Sequence, residues 1–526
     1  MAQLLGPDIA RRAVTQVVGS NVYEYSGRSA TVYLDDALTQ LAPINTFNAG
    51  SPTTPGALIA NSQVTLSARN SRLPLWWFPD GVDTLYVSVS GLSHSWMVTA
   101  DVDSRLDTLT GGAGIRRAAL TSFAGLAPSG QRAAGPISSL LTTHLGGTSR
   151  MFVPVPDQTQ TSFLPVYENY YGGADAPGAN AFTLAAAVEV GSTIVPFTFG
   201  GQHTVALAPG GTAIPDNPIA VPLTSVAYTG GAGTGSATGF WLRTYISVTS
   251  GQSYPVNVIL ANTLVSGEVD GASVAGGADL TLPGSGTVTT GPGGTYAFGP
   301  RAILSRSKTS RLFAAVGDSI INGQADSPSM YGYIDRAAVA TSTPILKVGR
   351  PGDTASNFAL STGRFRRAAM IEGATDVFVA YGVNDLNNGG RSAAQLQADL
   401  TAIYALLAGM GARVHAVTIG PRTTSSDSFA TTVNQVATGS GGTVLPATLA
   451  AVNDWIRTKP TNVYDVYDFA DLVMSARNSG LWAVDGTANK YTPDGTHPGP
   501  FTYQSVLTPA LTTYITTYKA SAAYAA

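Results

Sequence analysis

After Lys308 the hydrophobic pattern changes period, and this change restricts the available folds more than any other feature of the chain. Five short apolar runs enriched in β-branched residues follow: RLFAAVGDS (311–319), TPILKVG (343–349), DVFVAYGVND (376–385), RVHAVTIGP (413–421) and NVYDVYDFA (462–470). Continuous apolar runs of this length describe strands buried on both faces. Helix-compatible segments lie between them. The clearest spans 391–410, where Leu396, Leu400, Ile403 and Leu407 recur at spacings that place them on one helical face. Alternating strands and helices imply a parallel sheet covered by helices on both sides, and such sheets present ligands at the C-terminal ends of their strands.

Upstream the pattern is different. ATVYLDD (30–36), QVTLSA (63–68) and TLYVSVSG (84–91) alternate apolar and polar residues between Gly, Pro and Asn turns, which predicts a small β domain over 26–104. Residues 1–25 allow a short helix from Gly6 to Val18, and 105–147, rich in Gly, Ala and Ser, are expected to be a connector. From Arg150 to Arg301, runs such as RMFVPVP, AFTLAAAVEV, HTVALAP and WLRTYISVT succeed one another at close spacing, which predicts a β-sandwich over 148–305. The expected architecture is therefore multidomain, with N-terminal all-β modules followed by a C-terminal α/β domain with a parallel sheet over 306–526.

Composition removes several function classes. With 526 residues the chain is too long for one core. Its 44% hydrophobic content, spread along the length, argues against disorder. The net charge of -3 and the lack of long Lys or Arg runs give no nucleic-acid-binding surface. No Cys is present, so disulfides and thiolate catalysis are excluded. No stretch is apolar for long enough to span a bilayer. Asp8, Arg11 and Arg12 stand where a signal peptide needs its apolar region, so export by such a leader is not expected.

The chemistry-bearing residues cluster at the ends of the predicted strands. The first strand after Lys308 ends in Val316-Gly317-Asp318-Ser319, which sets a serine hydroxyl where an open α/β sheet presents its ligands. The third ends in Tyr381-Gly382-Val383-Asn384-Asp385, an amide suited to donating a hydrogen bond to a developing oxyanion. Near the C-terminus, Thr492-Pro493-Asp494-Gly495-Thr496-His497-Pro498-Gly499 puts a carboxylate three residues before an imidazole. A serine hydroxyl needs a base at neutral pH, and the base needs a partner to hold its tautomer, so Ser319, His497 and Asp494 make a candidate triad. The serine lacks a GxSxG elbow, which argues against an ordinary α/β-hydrolase. Tyr167, Tyr170 and Tyr171 offer aromatic faces for sugar rings, although packing is the commoner use of such clusters, and Trp76, Trp77 and Phe78 read as packing residues.

The blocks GDS, GxND and DGxHP, in that order, resemble the SGNH, or GDSL, hydrolases from about Arg311 to the C-terminus. The resemblance implies a three-layer, flavodoxin-like α/β domain, ester hydrolysis, and no metal or organic cofactor. It also implies a glycine after the second strand, for which Gly349 and Gly352 are both available in Gly349-Arg350-Pro351-Gly352-Asp353-Thr354. Gly352 matches the family wording Gly-Asp-Thr. The implied oxyanion hole is then the backbone N–H groups of Ser319 and Gly352 with the Asn384 side chain.

Two further resemblances concern the N-terminal half. The segment Ala30 to Gly91, chiefly its Pro-Asp-Gly-Val turn leading into Leu-Tyr-Val, is similar to the β module of minor tail and fibre proteins of phages infecting actinobacteria. HTVALAPGGTAIPDNPIAVPL followed by WLRTYISV resembles the accessory sandwich that precedes the hydrolase domain in some SGNH proteins. Together they imply a virion protein of the phage tail that acts at the host surface on an acylated envelope glycan or glycolipid, with other tail proteins as partners. A homotrimer would suit a fibre, but the sequence shows no heptad stem. A virion protein that binds glycan without turnover and a bacterial carbohydrate esterase are the alternatives.

Overall fold

The computed structural model describes most residues from 126 onward, excepting 133–136, 138, 173–175, 228–234, 260–263, 290–295, 307–310, 328–330, 361–366, 369, 372–373, 440–441 and 526; before residue 126 it describes strand backbone only. The chain divides into two compact units, the first essentially Met1–Ala118 and the second Ala119–Ala408 with Ala412–Ala526.

In the first unit, strands Ser29–Tyr33, Gln63–Thr65, Thr84–Val89 and Ser95–Thr99 form one antiparallel sheet. Three of them lie in the runs whose alternation predicted strands. The expected helix from Gly6 to Val18 is not formed at its C-terminal end. Thr15–Val18 is a strand paired antiparallel with Asn21–Glu24, because the β-branched Thr15, Val17, Val18 and Val22 favour extended backbone over a helix. Nor does residue 26 separate the segments, since Gln3–Leu4 pairs with Trp76–Phe78.

The second unit begins with two antiparallel sheets that share one core. One contains Leu126–Pro128, Ala302–Arg306 and Ser162–Glu168, and the other Gly146–Pro154, Ser236–Ser247, Phe182–Val190 and Thr193–Pro196. Val153, Phe163, Leu184, Phe240, Leu242 and Ile303 meet between them. The expected connector is in part sandwich. Leu126–Pro128 pairs with Ala302–Arg306, and Ser139–Leu141 with Tyr254–Val256, because edge strands need partners that are distant in sequence. Tyr167 and Tyr170 are 0% exposed, so sugar stacking is not their role; Tyr167 donates or accepts at Thr244 Oγ1 (2.9 Å) within the core.

The remaining residues build a parallel sheet of β1 (Phe313–Gly317), β2 (Ile345–Gly349), β3 (Asp376–Ala380), β4 (Arg413–Val417) and β5 (Val463–Tyr467). Its order is β2-β1-β3-β4-β5, and every pairing is parallel. The strand order reverses at β1, which makes the C-terminal ends of β1 and β3 the topological switch point where such sheets bind ligands. Helices α1 (Ser319–Asn322), α2 (Gly332–Ala340), α3 (Ala355–Leu360), α4 (Val383–Asn387), α5 (Ala393–Gly409), α6 (Pro446–Arg457), α7 (Phe469–Val473) and α8 (Thr508–Ala520) complete it. Helix α5 buries Leu396, Leu400, Ile403 and Leu407, the stripe legible in the sequence. Among the described residues no helix is long and apolar enough to cross a membrane.

At the opposite end of the sheet from the switch point, Asp376 opens β3 fully buried. It accepts from Arg311 through both oxygens (2.9 and 3.1 Å) and from Tyr518 Oη at 2.7 Å, and lies 3.1 Å from His415 Nε2. Burial raises its pKa, but these hydrogen bonds outweigh that effect and hold the carboxyl well below its usual range. Asp376→Ala would leave Arg311 buried without its anion. It is expected to cost about 3–5 kcal/mol, checked by denaturant unfolding.

Candidate active site

Ser319 begins α1 directly after β1, and Asp318 caps that helix by accepting from Ile320 N at 2.9 Å. The short turn between strand and helix holds the hydroxyl at the switch point while leaving the residue only 4% exposed. From Ser319 a continuous hydrogen-bonded chain runs outward. Ser319 Oγ lies 2.8 Å from His497 Nε2, and His497 Nδ1 lies 2.6 Å from Asp494 Oδ2. With Asp494 ionised, Nδ1 carries the proton and Nε2 is free to accept from the serine.

The turn carrying Asp494 and His497 is braced from several sides. Asp494 Oδ1 accepts from His497 N (2.8 Å) and Thr496 N (2.9 Å). Thr492 Oγ1 donates to His497 O and accepts from Gly495 N. Gly495 has φ +75°, and an added Cβ would lie 1.8 Å from Thr423 O, so only glycine lets the segment after β4 approach this closely. The Gly495 carbonyl in turn accepts from Thr423 N and from Nε1 of the buried Trp482. Partial burial pushes the Asp494 carboxyl up, but the hydrogen bond and charge of His497 and the two backbone N–H groups outweigh it, leaving a pKa of about 2. Asp494 therefore remains an anion throughout the range in which a histidine base is neutral.

Asn384 sits in the first turn of α4, after β3, and is buried. Its Nδ2 donates to Asp353 O (3.0 Å) and lies 3.4 Å from Asp318 Oδ2. The two glycine candidates separate by environment. Gly349 pairs with Gly317 inside the sheet, and a Cβ there would lie 2.5 Å from Asn322 Oδ1, so its smallness serves packing. Gly352 is exposed, with φ +75° and open space where a side chain would be.

Sequence reasoning missed the residues that hold this edge together. The Asp353 carboxylate is buried among Arg367 Nη1, Arg350 Nη1 (3.2 Å), Asn357 Nδ2 (2.9 Å) and Tyr381 Oη (3.0 Å), and so fixes the loop that contains Gly352. Asp385 accepts from Ala355 N (2.8 Å) and Ser356 N (3.0 Å), tying the turn after β3 to the start of α3. The sequence signal was the buried-strand context of GDT and GxND, in which a carboxylate must find a partner.

Asp318 is an exception to carboxylate behaviour. Burial raises its pKa most, the Ile320 N–H and the His497 charge lower it, and the charges of Asp353 and Asp385 raise it further, to about 7. The unfolded chain releases this proton at the ordinary carboxyl value of 3.8 and the folded chain near 7, so rising pH costs stability across that window. Asp318→Asn, which keeps a capping oxygen, is expected to raise the melting temperature at pH 8 and flatten its fall between about pH 4 and 7. Parallel melting profiles for the two proteins would contradict this.

His415 also has a carboxylate neighbour, but it is fully buried between Asp376 and Tyr514 and belongs to the structural network described above. Among the described residues no group of three or more His, Cys, Asp or Glu could hold a metal ion.

Residues 315–504 match the model of the GDSL-like Lipase/Acylhydrolase family. No curated protein matches the chain. Similar solved structures include a GDSL-like lipase from Bacteroides thetaiotaomicron, at 16% identity and TM-score 0.28, covering 39% of this chain and 86% of that one. A family two carbohydrate esterase from Clostridium thermocellum, solved in complex with cellohexaose, is 14% identical with TM-score 0.29, covering 75% of this chain and 99% of that one. A psychrotrophic esterase from a Pseudoalteromonas species is 14% identical with TM-score 0.27, covering 40% and 99%.

Proposed function

We propose that residues 315–504, which match the GDSL-like Lipase/Acylhydrolase family model, form an esterase domain of the SGNH type in which Ser319, His497 and Asp494 hydrolyse esters through an acyl-enzyme. The unbroken hydrogen-bonded chain from Ser319 Oγ to Asp494 carries this reading. Ser319 Oγ attacks the ester carbonyl as its proton passes to His497 Nε2. The tetrahedral oxyanion is held by the N–H groups of Ser319 and Gly352 and by Asn384 Nδ2. His497 then protonates the departing alcohol, the acyl group remains on Ser319, and water activated by the same imidazole releases the acid. Asp494 keeps the imidazole in the required tautomer and stabilises its charged form.

The substrate we infer is an acyl ester, O-acetyl or longer, on an envelope polysaccharide or glycolipid. The likeness of residues 30–91 to phage tail and fibre modules supports a virion location and tail-protein partners, and a homotrimer would suit such a fibre. The two-sheet module ahead of the hydrolase domain is consistent with an accessory sandwich that positions the active site on a polymer. The test is acid release from p-nitrophenyl acetate, a longer acyl ester and acetylated envelope polysaccharide. Turnover of the small esters but not the polymer would remove the glycan reading, and no turnover of any would favour a binding protein. Mass spectrometry of purified particles addresses the virion assignment: absence of the chain from them would overturn it.

A further inference from the structure

We infer that Arg422 is a positioning residue for the oxyanion amide, holding the Asn384 oxygen so that the opposite end of the amide is the NH2 group that the proposed oxyanion requires. The inference rests on the proposed oxyanion role of Asn384. Arg422 follows β4, on the same edge of the sheet as Ser319 and Asn384, and its Nη1 donates to Asn384 Oδ1 at 3.4 Å. The other end of that amide faces the Asp353 carbonyl and the Asp318 carboxylate. If the amide were reversed, its oxygen would face the Asp353 carbonyl and its NH2 group the Arg422 cation, so these two neighbours disfavour that state whatever the protonation of Asp318. A guanidinium on the carbonyl oxygen also polarises the amide and strengthens its N–H as a donor.

The position of Arg422 is built rather than incidental. Its carbonyl accepts from Val444 N (2.9 Å), and the next residue donates from Thr423 N to Gly495 O (2.9 Å) inside the catalytic turn. The close approach that requires Gly495 is made by this segment. Among the described residues Arg422 has no carboxylate within ion-pair distance, and its buried Nε makes no hydrogen bond. Burial lowers its pKa, and the charges of Asp494 and Asp318 act to raise it, so the cation sits in the field of both without being neutralised by either. A half-buried arginine held this way is costly unless its charge is used.

The experiment is steady-state hydrolysis of p-nitrophenyl acetate by wild type, Arg422→Ala, Arg422→Lys, Asn384→Ala and the Arg422→Ala/Asn384→Ala double variant, each checked for folding by circular dichroism. Asn384→Ala is expected to lose about 10²–10³ in kcat. Arg422→Ala is expected to lose roughly 10- to 100-fold in kcat with KM little changed, and the double variant to be no worse than Asn384→Ala. Arg422→Lys keeps the charge but not the fork and should fall between. Millimolar guanidinium should restore part of the Arg422→Ala rate and none of the Asn384→Ala rate. Losses that multiply in the double variant, a KM effect alone, or an unimpaired Arg422→Ala beside a crippled Asn384→Ala would overturn the inference while leaving the oxyanion reading intact. Full activity in Asn384→Ala would instead remove the oxyanion reading itself. Should Arg422→Ala not fold, the Lys variant and its cycle with Asn384→Ala decide the question.

Discussion

Ser319→Ala is expected to lower kcat for ester hydrolysis by about 10⁴–10⁶, with KM and the melting temperature close to those of the parent. The expectation follows from what the hydroxyl touches. Among the described residues its side-chain partner is His497 Nε2, so its removal deletes the attacking atom and leaves the imidazole, the Asp494 pair and the turn hydrogen bonds in place. Asn384 and the backbone donors also remain, which is why a residual rate over water should persist. Burst kinetics with a slow-deacylating ester check the same point: the parent should accumulate an acyl-enzyme and the alanine variant none. A variant retaining a tenth of the parent rate would show that another nucleophile does the work.

The second large effect concerns the base and its partner. His497→Ala should match Ser319→Ala in kcat and add nothing in the double variant, because the serine is inert without the base. Asp494→Asn should cost less, about 10²–10⁴, although an amide at this position favours the wrong imidazole tautomer. The Asp494 side chain is 46% exposed, so water can partly replace it at His497 Nδ1, unlike a fully buried partner. The pH dependence separates the two roles. Since the Asp494 carboxyl sits at about 2, the acid limb of kcat/KM in the parent should report protonation of His497 and not of Asp494. An acid limb unchanged in midpoint and steepness after Asp494→Asn would mean that the carboxylate does not act through the imidazole.

How far the sequence reached differs between elements for physical reasons. All five strands after Lys308 lie inside the apolar runs, and α5 buries the stripe read from its spacing, because burial on both faces or on one face writes a local period. The helix expected near the N-terminus failed at Thr15–Val18, where β-branched residues and a partner strand outweighed weak helical periodicity. The connector failed similarly at Leu126–Pro128, whose pairing partner lies at Leu304–Arg306 and leaves no trace in local composition. Tyr167 and Tyr170 could not be assigned from spacing, since an aromatic in a strand reads alike whether it faces a core or a sugar.

The sequence by itself determined the parallel sheet, the strand ends that carry Ser319 and Asn384, and the turn that pairs Asp494 with His497, because each is a short-range pattern set by burial period or by a three-residue spacing. Only the tertiary structure decided that His497 meets a serine 178 residues away, that Asp353 locks the loop bearing Gly352, and that Arg422 faces the Asn384 amide. These are contacts between side chains carried by separate segments of the chain. Their distances follow from how five strands order and twist in one sheet, which no local pattern encodes.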